Sequence, residues 1–91
     1  MLNSNAKIVR KKLPWQELEE KIVILSPETR MSHELNETAS WIWKELEHES
    51  SFKTLLTGLV EHFEVDDTVA SADLAEVLKA MQDIALIEIH D

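Results

Sequence analysis

The chain has 91 residues, no cysteine, and 18 acidic against 9 basic residues, which gives a formal net charge of −9. This length predicts one small domain with little room for an enclosed active site. Without cysteine, the chain cannot form disulfides, thiolate metal sites or a cysteine nucleophile. No apolar stretch approaches the roughly 18 residues of a membrane span, and no signal peptide is recognisable, so we expect a cytoplasmic protein with no membrane partner.

Charge is unevenly distributed along the chain. Residues 1–35 hold six basic and five acidic residues, whereas residues 36–91 hold three basic and thirteen acidic residues. A half with this excess of carboxylates repels the phosphate backbone of nucleic acids instead of neutralising it. The composition therefore argues against a nucleic-acid partner.

The N-terminal part of the chain predicts one strand. Residues 1–7 are polar and are expected to be disordered. In residues 11–18 apolar and polar side chains alternate, which predicts a strand with Trp15 in the core. Pro14 lies inside this stretch and has no backbone N–H, so we expect it on a sheet edge with its nitrogen facing outward.

Two further short strands follow. An apolar run at residues 22–25 meets a Ser-Pro turn signal at residues 26–29, and a second extended run covers residues 31–35. Together with the first strand, these runs predict a three-stranded antiparallel meander whose first and third strands are the edges.

A helix is predicted to begin after Asn36. The short side chain of Asn36 can accept a hydrogen bond from the free backbone N–H groups of the first turn. Trp41 lies off the apolar face of this helix and is either exposed for contact with a partner or partly buried under the N-terminal segment. The apolar face itself comprises Ala39, Ile42, Trp43 and Leu46.

Two more amphipathic helices complete the chain. The second can be capped by serines at residues 50–51, and Gly58 in its middle costs about 1 kcal/mol relative to alanine, which indicates close approach of a neighbouring element. The third covers residues 68–83 and can be capped by aspartates at residues 66–67, and residues 86–89 can add a terminal strand. The apolar face of the second helix comprises Phe52, Leu55, Leu56, Leu59, Val60 and Phe63. That of the third comprises Ala70, Leu74, Val77, Leu78 and Met81.

This order of elements predicts an α+β fold. We expect a winged-helix-like domain, with a three-stranded antiparallel sheet followed by three helices, in a single domain over residues 1–91. The third strand has no proline or lysine at residues 31–34 to block pairing, so its edge is open to strand addition. A loop or a second copy of the protein could cover the same edge, so a homodimer stays open as an alternative.

Several segments in a fixed order resemble one protein family. They are "VILSPE" at residues 23–28, Leu35-Asn36, Trp43, and "ASADLAEVLKAMQDIALIEI" at residues 70–89. In these segments the chain resembles the PqqD family, the stand-alone form of the recognition element for ribosomal precursor peptides (RiPPs), from about residue 12 to residue 89. Three loop positions depart from the family pattern: Arg30 and Ala85 replace frequent glycines, and residues 48–51 replace an Asp-Gly pair.

The resemblance implies a peptide chaperone without a cofactor. Such a domain binds the leader of a precursor peptide and presents the core to a modifying enzyme, frequently a radical SAM protein or another peptide-processing enzyme. The leader is expected to add as a strand to the third strand and to lie against the third helix. The peptide-binding residues are then Met31, Ser32, His33, Glu34, Asp73, Val77 and Ala80.

Other functions find little in the sequence. The four histidines have no metal-ligand spacing, one glycine cannot build a phosphate loop, and the carboxylates read as solvated faces and caps, so we expect no catalytic residue and no metal site. The alternative from a different class is a winged-helix DNA-binding transcriptional regulator. Its groove-entering helix should be basic, but the third helix has Lys79 as its one basic residue.

Overall fold

The computed structural model describes residues 5–27 and 30–90 of the chain. The strands form two three-stranded antiparallel sheets, with strand orders β2-β3-β4 and β5-β1-β6. The predicted α+β fold with three helices is confirmed. In chain order the elements are β1 (Lys7–Arg10), β2 (Trp15–Leu18), β3 (Lys21–Ser26), β4 (Met31–Glu34), α1 (Glu37–Glu45), β5 (Ser50–Ser51), α2 (Phe52–Phe63), α3 (Asp67–Asp83) and β6 (Ile87–His90).

The β2-β3-β4 sheet is the predicted meander. Its central strand, β3, buries Ile22 and Ile24 completely against the core, while Leu25 on the other face is exposed. A two-residue turn at Glu19 and Glu20 joins β2 to β3, with φ of 50° and 71°. Positive φ at both positions is the signature of a type I′ hairpin turn, whose twist matches that of the flanking strands.

The second sheet is largely absent from the prediction. β1 pairs along its whole length with β6 and at Lys7 and Ile8 with the two-residue β5. Residues 1–4 lie outside the described part of the chain, but Ala6 is buried and Lys7 begins β1, so the prediction of disorder through residue 7 is wrong at its end. The terminal strand predicted at residues 86–89 is confirmed as β6.

One core joins both sheets to the three helices. The predicted apolar faces of the helices are confirmed: eleven of their fifteen members are buried, and the other four are half-buried against the same core. The largest fully buried apolar side chains are Trp43, Ile8, Ile22, Ile24, Ile42, Leu46, Leu74, Leu78, Leu86 and Ile87. The predicted caps are also confirmed, and their side-chain oxygens accept from backbone N–H groups as follows: Asn36 from Ala39 (2.8 Å), Ser51 from Thr54 (3.1 Å) and Asp66 from Thr68 (3.2 Å).

Trp41 of α1 packs directly against Gly58 of α2. Trp41 is half-buried against α2, where it stacks on His62 with ring centroids 5.6 Å apart. A Cβ added at Gly58 would lie 3.0 Å from the ring of Trp41, so any larger residue here would require the indole to shift by a few tenths of an ångström. The close approach predicted from Gly58 is confirmed, but α2, not the N-terminal segment, covers Trp41.

Trp15 is not the core residue that the alternating pattern predicts. Trp15 is 41% exposed, and it makes an edge-to-face contact with the core residue Trp43, with ring centroids 6.4 Å apart. The guanidinium of Arg10 lies 5.4 Å from the centre of the Trp15 ring. Because β2 is an edge strand, the sheet provides neighbours for this indole on one side only.

Pro14 faces the opposite way from our expectation. Leu25 donates its N–H to the Pro14 carbonyl at 2.8 Å, which makes Pro14 and Leu25 a hydrogen-bonded pair of the antiparallel ladder. The nitrogen of Pro14 therefore faces β3, and the outward N–H groups of β2 belong to Trp15 and Glu17. Pro14 consequently removes no donor from the outer edge of β2.

Two of the three departures from the family pattern lie at positive φ, the region that favours glycine. Arg30 has φ 58° and Ala85 has φ 62°. Both positions therefore keep the backbone conformation that favours glycine in the family, although they carry side chains that strain it.

No helix in residues 5–27 and 30–90 is long and apolar enough to cross a membrane.

Candidate functional site

β4 is an edge of the β2-β3-β4 sheet, and no strand in the described part of the chain covers its outer side. Leu35, directly after β4, donates its N–H to the Ile22 carbonyl at 2.8 Å. Donors alternate along an antiparallel strand, so His33 also donates inward, whereas the N–H groups of Ser32 and Glu34 point outward. The β4 edge therefore offers two outward donors two residues apart, as an added strand requires.

Ser40 of α1 fastens the end of β4 to β3. Its hydroxyl accepts from the Ile22 N–H and donates to the Leu35 carbonyl, both at 3.1 Å. Ser40 is only 2% exposed, so water cannot readily replace either bond. The hydroxyl takes the place of one ladder hydrogen bond and thereby holds the start of α1 beside the β4 edge.

A groove of about 470 Å³ lies where the end of β4 and the first turn of α1 meet α3. Its floor is formed by apolar side chains: Leu35 and Met81, which are buried, and Val77, which is half-buried. Ile84, which is 44% exposed, lies just beyond the end of α3. The residues that line the groove are Glu34, Leu35, Asn36, Thr38, Ala39, Asp73, Glu76, Val77, Ala80, Met81 and Ile84.

The groove is acidic as well as apolar. Three of the residues that line it, Glu34, Asp73 and Glu76, are acidic, and none of the described residues that line it is basic. Lys21 forms an exposed ion pair with Glu34, with Nζ 3.1 Å from Oε1, but does not itself line the groove. Such exposed pairs are weak, so the groove favours a ligand that combines an apolar side chain with positive charge.

The residues predicted to bind a peptide lie on one continuous surface. Glu34, Asp73, Val77 and Ala80 line the groove, whereas Met31, Ser32 and His33 lie along the β4 edge that leads into it. Glu34 belongs to both parts.

Sequence reasoning missed other residues of the groove. Glu76 and Ile84 lie four residues before and after Ala80, so the helical spacing that places Ala80 on this face also identifies them. Leu35 and Thr38 enter the groove because α1 and β4 approach α3, and no local pattern indicates that approach. Within residues 5–27 and 30–90, no three His, Asp or Glu side chains are grouped to hold a metal ion.

Comparison with known proteins identifies the family. The chain matches the family model "Coenzyme PQQ synthesis protein D (PqqD)" over residues 21–87. Among solved structures, it is similar to that of TbiB1 in complex with the TbiA(beta) leader peptide, with a TM-score of 0.80 and 21% sequence identity. That similarity covers 88% of this chain and 94% of the TbiB1 chain, which indicates a common fold. No curated protein matches the chain.

The matched region contains all the elements that build the groove. It begins at the first residue of β3 and ends at the first residue of β6, and thus includes β4 and the three helices. The match spans about three quarters of the sequence. The chain therefore belongs to the PqqD family.

Proposed function

We propose that the chain is a peptide chaperone, which binds the leader of a ribosomally made precursor peptide and presents that peptide to a modifying enzyme. The observation that carries the proposal is that the open β4 edge runs directly into the groove at Glu34. An extended peptide can satisfy the outward donors of β4 while its side chains reach the groove. Membership of the PqqD family and the fold shared with TbiB1, whose structure contains a leader peptide, support this role.

The register of β4 determines how an added strand distributes its side chains. Ser32 and Glu34 form the hydrogen-bonded pairs with the peptide, and the peptide residues opposite them point away from the core. The peptide residue opposite Leu35 points to the other face, toward the groove floor. Since side chains alternate along a strand, we expect apolar anchors at every second residue of the leader.

The acidic wall indicates a leader with Lys or Arg beside its apolar anchors. Binding should be several-fold weaker when Asp73→Asn and Glu76→Gln are combined, and association should slow as salt rises. Glu61→Gln is the matched control, because Glu61 is an exposed residue of α2 outside the groove. Salt titrations of the association rate measure the effect, and an acidic leader with salt-insensitive association would contradict it.

The proposed partners are the leader peptide and a modifying enzyme, such as a radical SAM protein or a peptide-processing enzyme, in the cytoplasm. In this role the chain binds and orients the peptide and supplies no catalytic group. A homodimer through β4 would occupy the edge that the leader needs, so we place any second copy elsewhere on the surface.

The DNA-binding alternative receives no support from the family match or the shared fold. A helix that enters the DNA groove needs basic residues for phosphates and base edges. α3 instead presents Asp73 and Glu76 to the groove, and its Lys79 forms an exposed ion pair with Asp83, with Nζ 3.4 Å from Oδ2.

The proposal is tested by filling the groove. Ala80 and Ala72 are both exposed residues of α3, but only Ala80 lines the groove. Ala80→Trp should weaken binding of the leader encoded in the short reading frame nearest this gene by at least about tenfold. Ala72→Trp should leave that affinity unchanged. Calorimetry measures both affinities and thermal melting verifies folding; equal affinities for the two folded variants would reject the groove as the binding site.

A further inference from the structure

β2 is the second edge of the β2-β3-β4 sheet. Within the described part of the chain, no strand pairs with its outer side. The inward hydrogen bond from Leu25 to the Pro14 carbonyl fixes the alternation along β2, so the N–H and C=O groups of Trp15 and Glu17 point outward. This edge thus has two outward donors and two outward acceptors, and they are independent of the leader edge.

An apolar surface adjoins the β2 edge on the face of the sheet that points away from α1. Leu18 and Leu25 are 51% and 53% exposed there. A shallow groove of about 250 Å³ on this side is lined by Pro14, Trp15, Gln16, Val23 and Leu25, none of which is charged. In a chain with a net charge of −9, this is a surface where a second copy meets little electrostatic repulsion.

We propose that two copies of the chain associate about a two-fold axis by antiparallel pairing of their β2 strands. Only one register uses all the outward groups: Trp15 of each copy pairs with Glu17 of the other, which makes four backbone hydrogen bonds, and Gln16 faces its own equivalent. A register that pairs Glu17 with Glu17 would place two carboxylates opposite each other. It would also pair Trp15 with Glu19, which is a residue of the hairpin turn and not of the strand. The register that pairs Trp15 with Trp15 requires Leu13, whose N–H already donates to the Lys11 carbonyl at 3.0 Å.

The side chains fit this register. Leu18 of one copy lies opposite Pro14 of the second copy, beside the groove that Val23 and Leu25 line, so exposed apolar surfaces cover each other. The carboxylate of Glu17 is already neutralised within its own copy by Lys44, with Nζ 2.6 Å from Oε2. The one acid of β2 therefore does not enter the interface as an unpaired charge.

The proposed dimer leaves both leader sites open. It forms a continuous six-stranded sheet in which the two β4 strands are the outer edges, so one dimer binds two leader peptides. The contact consists of short strands and few apolar side chains, which is small for a protein interface. We therefore expect a weak dimer that forms at micromolar or higher concentrations.

Disulfide trapping tests the register directly, because the chain has no cysteine of its own. The two Gln16 residues form a pair without hydrogen bonds, with Cα atoms about 4.5 Å apart, so Gln16→Cys should crosslink readily under mild oxidation. The two Leu18 residues lie four positions out of register, about 13 Å apart, so Leu18→Cys should not crosslink. Absence of the Gln16→Cys crosslink, or equal crosslinking of both variants, would overturn the register.

Sedimentation across a concentration series tests the association itself. Leu18→Glu and Glu17→Pro should each weaken the dimer at least about tenfold. Val69→Glu is the matched control, because Val69 on α3 is 52% exposed, as Leu18 is on β2, and should change nothing. Added leader peptide and Ser32→Pro should leave the dimer intact. A chain that stays monomeric, a dimer that Val69→Glu weakens equally, or one that leader peptide dissociates would overturn the proposal.

Discussion

β2 and β4 are the two edges of one sheet, and their backbones offer the same chemistry. Each is four residues long, pairs antiparallel with β3, and points two N–H groups outward. They differ in what lies beside them: β4 runs into an acidic groove against α3, whereas β2 adjoins an uncharged, shallow apolar surface. Backbone edges are interchangeable, so the neighbouring side chains must decide which partner each edge accepts.

The comparison also shows why a sheet edge cannot be judged from the position of a proline alone. Pro14 precedes β2 and would be expected to protect that edge, but its nitrogen faces β3. β4 contains no proline, so it also keeps both of its outward N–H donors. What matters is the parity of each residue, because adjacent residues of a strand serve opposite sides.

The largest expected effect comes from the inward donor of β4. His33→Pro removes a ladder hydrogen bond to β3 and leaves the Ile24 carbonyl unpaired, so we expect it to cost about 3 kcal/mol or more in the free energy of unfolding. Ser32→Pro removes only an outward donor and should cost less than about 1 kcal/mol. Urea unfolding measures the stability of both variants. A comparable loss for the two would mean that the assignment of inward and outward donors along β4 is wrong.

The next effect concerns the Ser40 hydroxyl, which connects α1 to β3, the central strand of the sheet. Ser40→Ala leaves the Ile22 N–H and the Leu35 carbonyl without a partner in a buried site and should cost about 2 kcal/mol. Because the same hydroxyl positions α1 beside β4, this variant should also weaken leader binding while the β2 side is unaffected. Ser71→Ala, a half-buried serine of α3, serves as the control. A Ser40→Ala variant as stable as this control would show that the bridge contributes nothing.

The sequence predicts the elements whose stability is local. Asn36 before an apolar stripe predicts the cap and buried face of α1, and Gly58 correctly indicates a close approach. β1 and β5 could not be predicted, because Lys7–Arg10 pairs with residues about 80 positions away along the chain and β5 is only two residues long. The alternating pattern predicts Trp15 in the core, because it shows which face of the strand a side chain occupies but not how few neighbours an edge strand gives it there.

The candidate site divides in the same way. The resemblance to the PqqD family implies that the leader lies against α3, whose helical period puts Asp73, Val77 and Ala80 on one face, and the β4 edge follows from the order of strands. The role of Ser40 could not be foreseen, because a serine within a helix gives no sign that its hydroxyl will complete the ladder of a neighbouring sheet. Which of Ser32 and His33 faces outward is also invisible in sequence, since it depends on the register with β3.

The next prediction compares the outward donors of the two edges. Ser32→Pro on β4 and Glu17→Pro on β2 each remove one outward N–H and spare the ladder with β3. We expect Ser32→Pro to weaken leader binding at least about tenfold and Glu17→Pro to leave it unchanged. Calorimetry on the two folded variants measures the difference. If Glu17→Pro weakened leader binding and Ser32→Pro did not, the leader edge would be β2, and the groove beside β4 would have another role.

The smallest effect concerns the turns that connect each edge to β3, both of which hold side chains at positive φ. Glu20 lies at φ 71° between β2 and β3, and Arg30 at φ 58° just before β4. The left-handed region costs an ordinary residue about 1 kcal/mol, part of which glycine returns through its greater freedom in the unfolded chain, so Glu20→Gly and Arg30→Gly should each raise the free energy of unfolding by about 0.5 kcal/mol. Glu20→Ala is the control: it removes the same charge but keeps the Cβ, and should not stabilise. Arg30 donates its N–H to the Ser26 carbonyl at 2.8 Å, and Glu20 lies beside the other edge. Neither substitution therefore removes an outward donor of β4, and both glycine variants should bind leader with unchanged affinity. A glycine variant that gained stability but lost leader binding would mean that the turn conformation, and not the edge alone, positions the site.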